Sequence, residues 1–174
     1  MIRSILFAAA ATLLAISASP AALAAGPNDA QIAHIAYTAG QIDIAAGKQA
    51  LARSKNKTVR AFAQEMVRDH AAVNVQALAL VKKLHVTPQA NPTSSALSKA
   101  ATAELGTLAR LRGAAFDRAY IRNEVAYHKT VNAALSDTLI PNAQNGELKS
   151  LLQTGLSLFT EHQAHAEHLA AGMH

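Results

Sequence analysis

The chain has 174 residues and a formal net charge of +5; 51% of its residues are hydrophobic and only 4% aromatic, with no Cys and no Trp. That length suits a single domain that can bury a core without disulfides or a structural metal. The absence of Cys excludes disulfide frameworks, thiolate zinc sites, iron–sulfur clusters and thiol catalysis. A core drawn mostly from Ala, Leu and Val suits close-packed helices better than a β-sandwich, and the hydrophobic fraction excludes a disordered chain.

The first segment reads as an export leader. Arg3 is a short positive region, Ile5 to Ile16 is an apolar and small run, and Ala22-Leu23-Ala24 after Pro20 is an Ala-x-Ala cleavage signal. Residues 1–24 are therefore expected to form a cleavable signal peptide and 25–174 the mature domain. The apolar run is too short to span a bilayer comfortably, and no later stretch is uniformly apolar at spanning length. An exported, periplasmic protein follows, with peripheral or outer-membrane association left open. The basic residues are scattered (Lys55, Lys57 and Arg60, then Lys82 and Lys83, then Arg110 and Arg112) without interleaved aromatics, so nucleic acid is not the expected partner.

Periodicity and punctuation predict four long helices. The first spans about Asp29 to Ser54, with Asn28 or Asp29 as N-cap. The second starts at Asn56 to Thr58 and reaches about Leu84, with a core stripe of Val59, Phe62, Met66, Val73, Ala77, Leu80 and Leu84. Pro88 and Pro92 break the pattern, and a shorter helical piece covers about Ala96 to Leu111. The third long helix runs from about Ala114 to Thr138. A loop at Pro141, Asn142, Asn145 and Gly146 leads to the fourth, about Glu147 to Ala170. A short first connection and a long second one describe an all-α, four-helix up-down bundle with one crossover, the ferritin-like arrangement.

Polar residues interrupt the apolar stripes. His70 continues Phe62 and Met66 with Asp69 beside it; Asp117, Glu124 and His128 share a stripe with Ile121 and Val131; His162 follows Leu158; Asp43 edges the stripe of Ile35, Ala39 and Ala46. Counting back from the helix turns places Asp43 and His70 within roughly 4 Å of one level. Glu124 and His162 share a level by the same count. One central layer of Asp43, His70, Glu124 and His162 is expected, with His128 one turn away. Imidazole and carboxylate donors from four helices suit a first-row transition metal such as Fe, Mn, Cu or Zn, and such groups are costly to bury without compensation. Asp69 and Asp117 could instead pair with Arg or His and fix register. Near the C-terminus, Glu161, His165 and His168 form a second cluster, read more simply as an exposed polar turn.

These residues carry a resemblance. The stretch Phe62-Ala63 with Met66 and Asp69-His70, and the stretch Phe116-Asp117 with Tyr120 and His128, resemble the motifs of the domain of unknown function 4142 family. Gly47-Lys48 and His162 match as well, and Asp43 stands where relatives usually have Glu. The resemblance spans about Asn28 to Leu169. It implies an exported, ferritin-like bundle of the bacterial periplasm or outer membrane, with no established chemistry. Glu-x-x-His ligand pairs, the signature of ferritin-like di-iron centres, are missing from the core. The expected function is therefore metal binding without catalysis, through His70, His128 and His162 with Asp43, Glu124 and Asp117. A metal-dependent oxidase or peroxide-consuming enzyme, and a metal-free structural or interaction module of the envelope, are the alternatives; a homo-oligomer stays open.

Overall fold

A computed structural model describes residues 26–173; the expected leader lies outside the described residues. Helix α1 spans Asp29–Arg53 and α2 Lys57–Lys83, joined by a tight turn. Helix α3 (Pro92–Ala109) leads to α4 (Gly113–Ala134), which continues through a π-helical turn (Leu135–Leu139) into a last short α5 (Ile140–Asn142). Helix α6 (Gly146–Ala171) completes the chain.

Local chemistry sets these boundaries. Asn28 accepts from Gln31 N, and the Gln31 side chain accepts from Asn28 N, so both orphan donors at the start of α1 are satisfied. Asn56 caps α2 and Asn145 caps α6 by accepting from their first-turn amides. At the end of α2, His85 N–H bonds Lys82 O and Val86 N–H bonds Val81 O. This Schellman closure needs a left-handed residue, and His85 supplies it at φ 53°.

Two expectations shift at prolines. Pro92, read as a breaker, stands instead in the first turn of α3, where its missing N–H has no helical partner to lose, with Asn91 as cap. Pro141 acts in the opposite sense within the last turns of the third long helix. In a continuous α-helix its ring would press on the carbonyl four residues back. The backbone widens ahead of it, and Ile140 N–H bonds Leu135 O, five residues back.

The chain directions follow from the connecting hydrogen bonds. Gln89 N–H bonds Ala30 O and Asn91 Nδ2 bonds Gln31 O, placing the start of α3 beside the start of α1. Gln49 Nε2 donates to Leu105 O, and Arg53 donates to the carbonyls of Ala109 and Leu111. Thus α3 runs alongside α1, in the same direction, for its whole length. At the far end, Asp29 accepts from Gln144 N and Asn145 N, which ties the α5–α6 loop back to the start of α1. Helices α1, α2, α4 and α6 therefore run up, down, down and up, and α3 is the crossover. This is the ferritin-like four-helix connectivity.

Close approach within the α1–α2 hairpin depends on Gly47, where a Cβ would lie 2.8 Å from Val67 Cγ2 and 3.1 Å from the Ala63 carbonyl. The core forms two apolar halves. One, toward the α1–α2 turn, contains Phe62, Met66, Leu108, Phe116, Tyr120 and Ile121. The other contains Ile32, Ile35, Val131, Leu135, Leu148 and Phe159. Between them lies a layer of buried polar side chains.

Candidate functional site

Each bundle helix contributes to that layer at the point where its apolar stripe is interrupted: Asp43 from α1, His70 from α2, Glu124 and His128 from α4, and His162 from α6. None of the five is more than 2% exposed. His70 Nε2 lies 3.4 Å from His128 Nε2 and 3.4 Å from Asp43 Oδ2, and His128 Nε2 lies 3.5 Å from the same oxygen. Three donor atoms from three helices thus form a nearly equilateral triangle. Glu124 Oε2 stands 3.5 Å from His128 Nδ1. His70, His128 and His162 each bring a nitrogen within 4.8 Å of the others.

Outer hydrogen bonds orient two of the imidazoles. His128 Nδ1 is 3.0 Å from Glu124 O; a carbonyl only accepts, so Nδ1 carries the proton and Nε2 turns its lone pair inward. His162 Nε2 is 3.1 Å from Asp69 Oδ2. Asp69 is itself held by Arg68 through Nε at 2.7 Å and Nη2 at 3.0 Å. The Arg68 guanidinium, and to a lesser extent His162, keep Asp69 below the usual carboxylate range. Asp69 is then an acceptor, His162 Nε2 the donor, and His162 Nδ1 is left buried with a lone pair and no partner. A carboxylate or carbonyl on the outer nitrogen and a free inner nitrogen is the arrangement that positions metal-binding imidazoles.

Burial dominates the electrostatics. It holds His70 well below its ordinary value, with His128 and His162 adding to the effect, and holds His128 down to about 4. His162 is lowered by burial against the pull of Asp69. The three rings are therefore neutral at neutral pH, the form that donates a lone pair. Burial raises Asp43 to about 7, partly offset by Glu124, and raises Glu124 well above its ordinary value, with the Asp43 charge adding to it. Among the described residues, both Asp43 oxygens, Glu124 Oε2, His70 Nδ1 and His162 Nδ1 lack hydrogen-bond partners. Unpaired polar atoms at this depth are costly, and one ligand seated among Asp43, Glu124 and His162 Nδ1 would compensate them together; His70 Nδ1 lies across its ring from Nε2 and stays outside such a site. A tetrahedral ion with bonds of about 2.1 Å holds its ligand atoms roughly 3.4 Å apart, which matches the triangle.

Of the residues expected from sequence, Asp43, His70, Glu124, His128 and His162 come together. Asp117 does not join them: it is buried on α4, two turns before Glu124 and so roughly 10 Å along the axis. In the C-terminal cluster Glu161 and His168 are exposed. His165 turns instead to Glu65, Nδ1 to Oε2 at 2.9 Å. Sequence reasoning missed the Glu65–His165 pair and did not assign Asp69 to His162. The signal was the one-turn spacing of Glu65 and Asp69, opposite the one-turn run of His162 and His165. Glu65, Asp69 and His162 also bring donor atoms within 4.8 Å of one another.

Tyr127 donates to Ala39 O at 2.7 Å, tying α4 to α1. Phe159 stacks on His70, centroids 4.4 Å apart and planes 12° from parallel, closing the layer on one side.

A bundle with one long crossover and a polar layer between two apolar halves is thus the class to which the molecule belongs. The chain belongs to the family described as domain of unknown function (DUF4142), whose sequence profile matches residues 14–169. Among solved structures, one from Streptomyces coelicolor, described as a secreted protein DUF305, is similar in fold. Its TM-score is 0.68 over 82% of this chain and 91% of that one, at 12% identity. No curated protein matches the chain. Among the described residues, no helix is long and apolar enough to cross a membrane.

Proposed function

We propose that this protein is exported to the periplasm and holds a transition-metal ion in the middle of the bundle, without catalysing a reaction. His70, His128 and Asp43 supply the triangle, His162 the fourth side, and Glu124 a second carboxylate beside His128; Asp117 is too far along α4 to take part. The observation that carries the reading is the mutual spacing of 3.4, 3.4 and 3.5 Å among three buried donor atoms. Neutral imidazoles with a carboxylate suit Zn, Cu, Fe or Mn. Retention fits the near-complete burial of all five side chains better than turnover, which needs an open coordination position. Export rests on the leader signals around Arg3 and Ala22-Leu23-Ala24, and the secreted relative of like fold agrees with it.

The test is elemental analysis of the protein purified from the periplasm without tag or chelator. Near one equivalent of a first-row metal is expected, lost in His70→Ala and His162→Ala. Protein that stays metal-free after challenge with each ion would overturn the reading and make the histidines architectural.

A further inference from the structure

A second feature lies on the other side of Phe159 from the histidines. A cavity of about 350 Å³ occupies the apolar half of the bundle that contains Ile35 and Leu135. An apolar cavity of about 150 Å³ is enough to admit benzene, and small-molecule sites begin near 300 Å³. Small side chains leave this room: Ala36 on α1, Ala77 on α2, Ala134 on α4 and Gly155 on α6 all line it, with Leu97 of the crossover.

Three properties define what would fill it. The space is elongated: its lining on α6 runs from Leu148 to Phe159, roughly 16 Å of helix, and on α1 from Ala33 to Gly40, roughly 10 Å. Among the described residues, no charged side chain lines it, so an ionised ligand would be buried without a counter-charge. One buried polar side chain lines it, Asn74, while Thr93, Thr130 and Thr138 stand at its exposed rim. Asn74 is 4% exposed, lines the cavity, and leaves Nδ2 with no hydrogen bond. The Asn74 amide sits over Gly40, where a Cβ would fall 2.4 Å from its Oδ1. Gly40 therefore makes room for the amide at the end of the cavity nearest His70.

We infer that this cavity binds an uncharged straight-chain amphiphile, with its carbonyl or ester oxygen on Asn74 Nδ2 and its alkyl chain along the apolar half of the bundle. The ligand class follows from shape, the uncharged wall and the single buried amide. The inference does not depend on a metal in the neighbouring layer, since Phe159 separates the two.

The full chain, stripped of bound apolar compounds on a hydrophobic resin, is titrated with methyl decanoate, decane and decanoate by displacement of a fluorescent apolar probe. The ester is expected to bind, decane about tenfold more weakly for want of an acceptor, and decanoate not at all. Asn74→Leu should bring the ester down to the level of decane and leave decane unchanged. Ala77→Leu, which fills the space, should weaken ester and alkane alike by tenfold or more. Failure of the ester to bind, equal binding of ester and decanoate, or ester binding untouched by Asn74→Leu would each overturn the inference. If far-UV circular dichroism shows that Ala77→Leu does not fold, the Asn74→Leu comparison decides.

Discussion

In protein held in chelator, Asp43 and His128 drive stability in opposite directions as pH changes. Unfolded His128 takes its proton near 6.5, the folded residue only near 4. Between those values the unfolded chain binds more protons, so the His128 contribution falls as pH drops from 6.5 toward 4. Asp43 is protonated near 7 when folded and near 3.8 when unfolded. Here the folded chain binds more protons between the two values, and stability falls as pH rises from 3.8 toward 7. Asp43→Asn removes the second effect and, by taking the Asp43 charge from beside Glu124, relieves part of the upward shift of Glu124, which acts in the same direction. The variant is expected to gain on the parent as pH rises from 5 to 8, by about 3 kcal/mol, the order set by 1.4 kcal/mol per pKa unit. Urea unfolding of both chelated proteins at the two pH values reads this directly, and a gap that stays constant would refute it. The position of Asp43 was legible in the sequence because helical rise converts residue counts into levels. Asp117 shows where that logic stops: its stripe gives its face, and two further turns carry it out of the layer. The pairing of Asp69 with His162 joins residues 93 apart in the chain; the matched one-turn spacings give the two faces, and no local pattern says that they meet.

At the scale of the element, the starts of α1, α2 and α6 are readable because capping chemistry is local, whereas α3 begins four residues before the expected Ala96. Asn28, Asn56, Asn91 and Asn145 each sit at a helix start and accept from its first amides. The π-turn was less legible. In the sequence Pro141 belongs to the loop, yet its effect reaches back into the helix that precedes it. The closure of α2 carries a prediction of its own. His85 is exposed and held in the left-handed region at φ 53°, where a Cβ is disfavoured and glycine is not. His85→Gly should keep the Val86–Val81 closure and stabilise the protein by about 0.5–1 kcal/mol, the relief of strain exceeding the added freedom of the unfolded chain. A lower thermal midpoint would show that the His85 side chain contributes something the backbone account omits. The cavity had no sequence signature, because Ala36, Ala77, Ala134 and Gly155 read equally well as close helix packing. Whether small residues draw helices together or leave space is settled by what faces them.

At the scale of the whole molecule, the polar layer is divided between two hairpins. Asp43 and His70 belong to α1 and α2, whereas Glu124, His128 and His162 belong to α4 and α6; α3 is the strap between the halves. Each hairpin is built from contacts close in sequence, which form fast, while their mutual docking requires the crossover to be laid down first. The triangle of His70, His128 and Asp43 exists only after docking, so it arises late on the folding route. An ion bound there acts on the native side of the barrier. Stopped-flow tyrosine fluorescence should then show metal slowing unfolding by at least tenfold while leaving the refolding rate within about twofold. Equal acceleration of refolding would place the layer in the folding nucleus instead. A protein assembled this way would owe its resistance to proteolysis less to its equilibrium stability than to how rarely its two halves part.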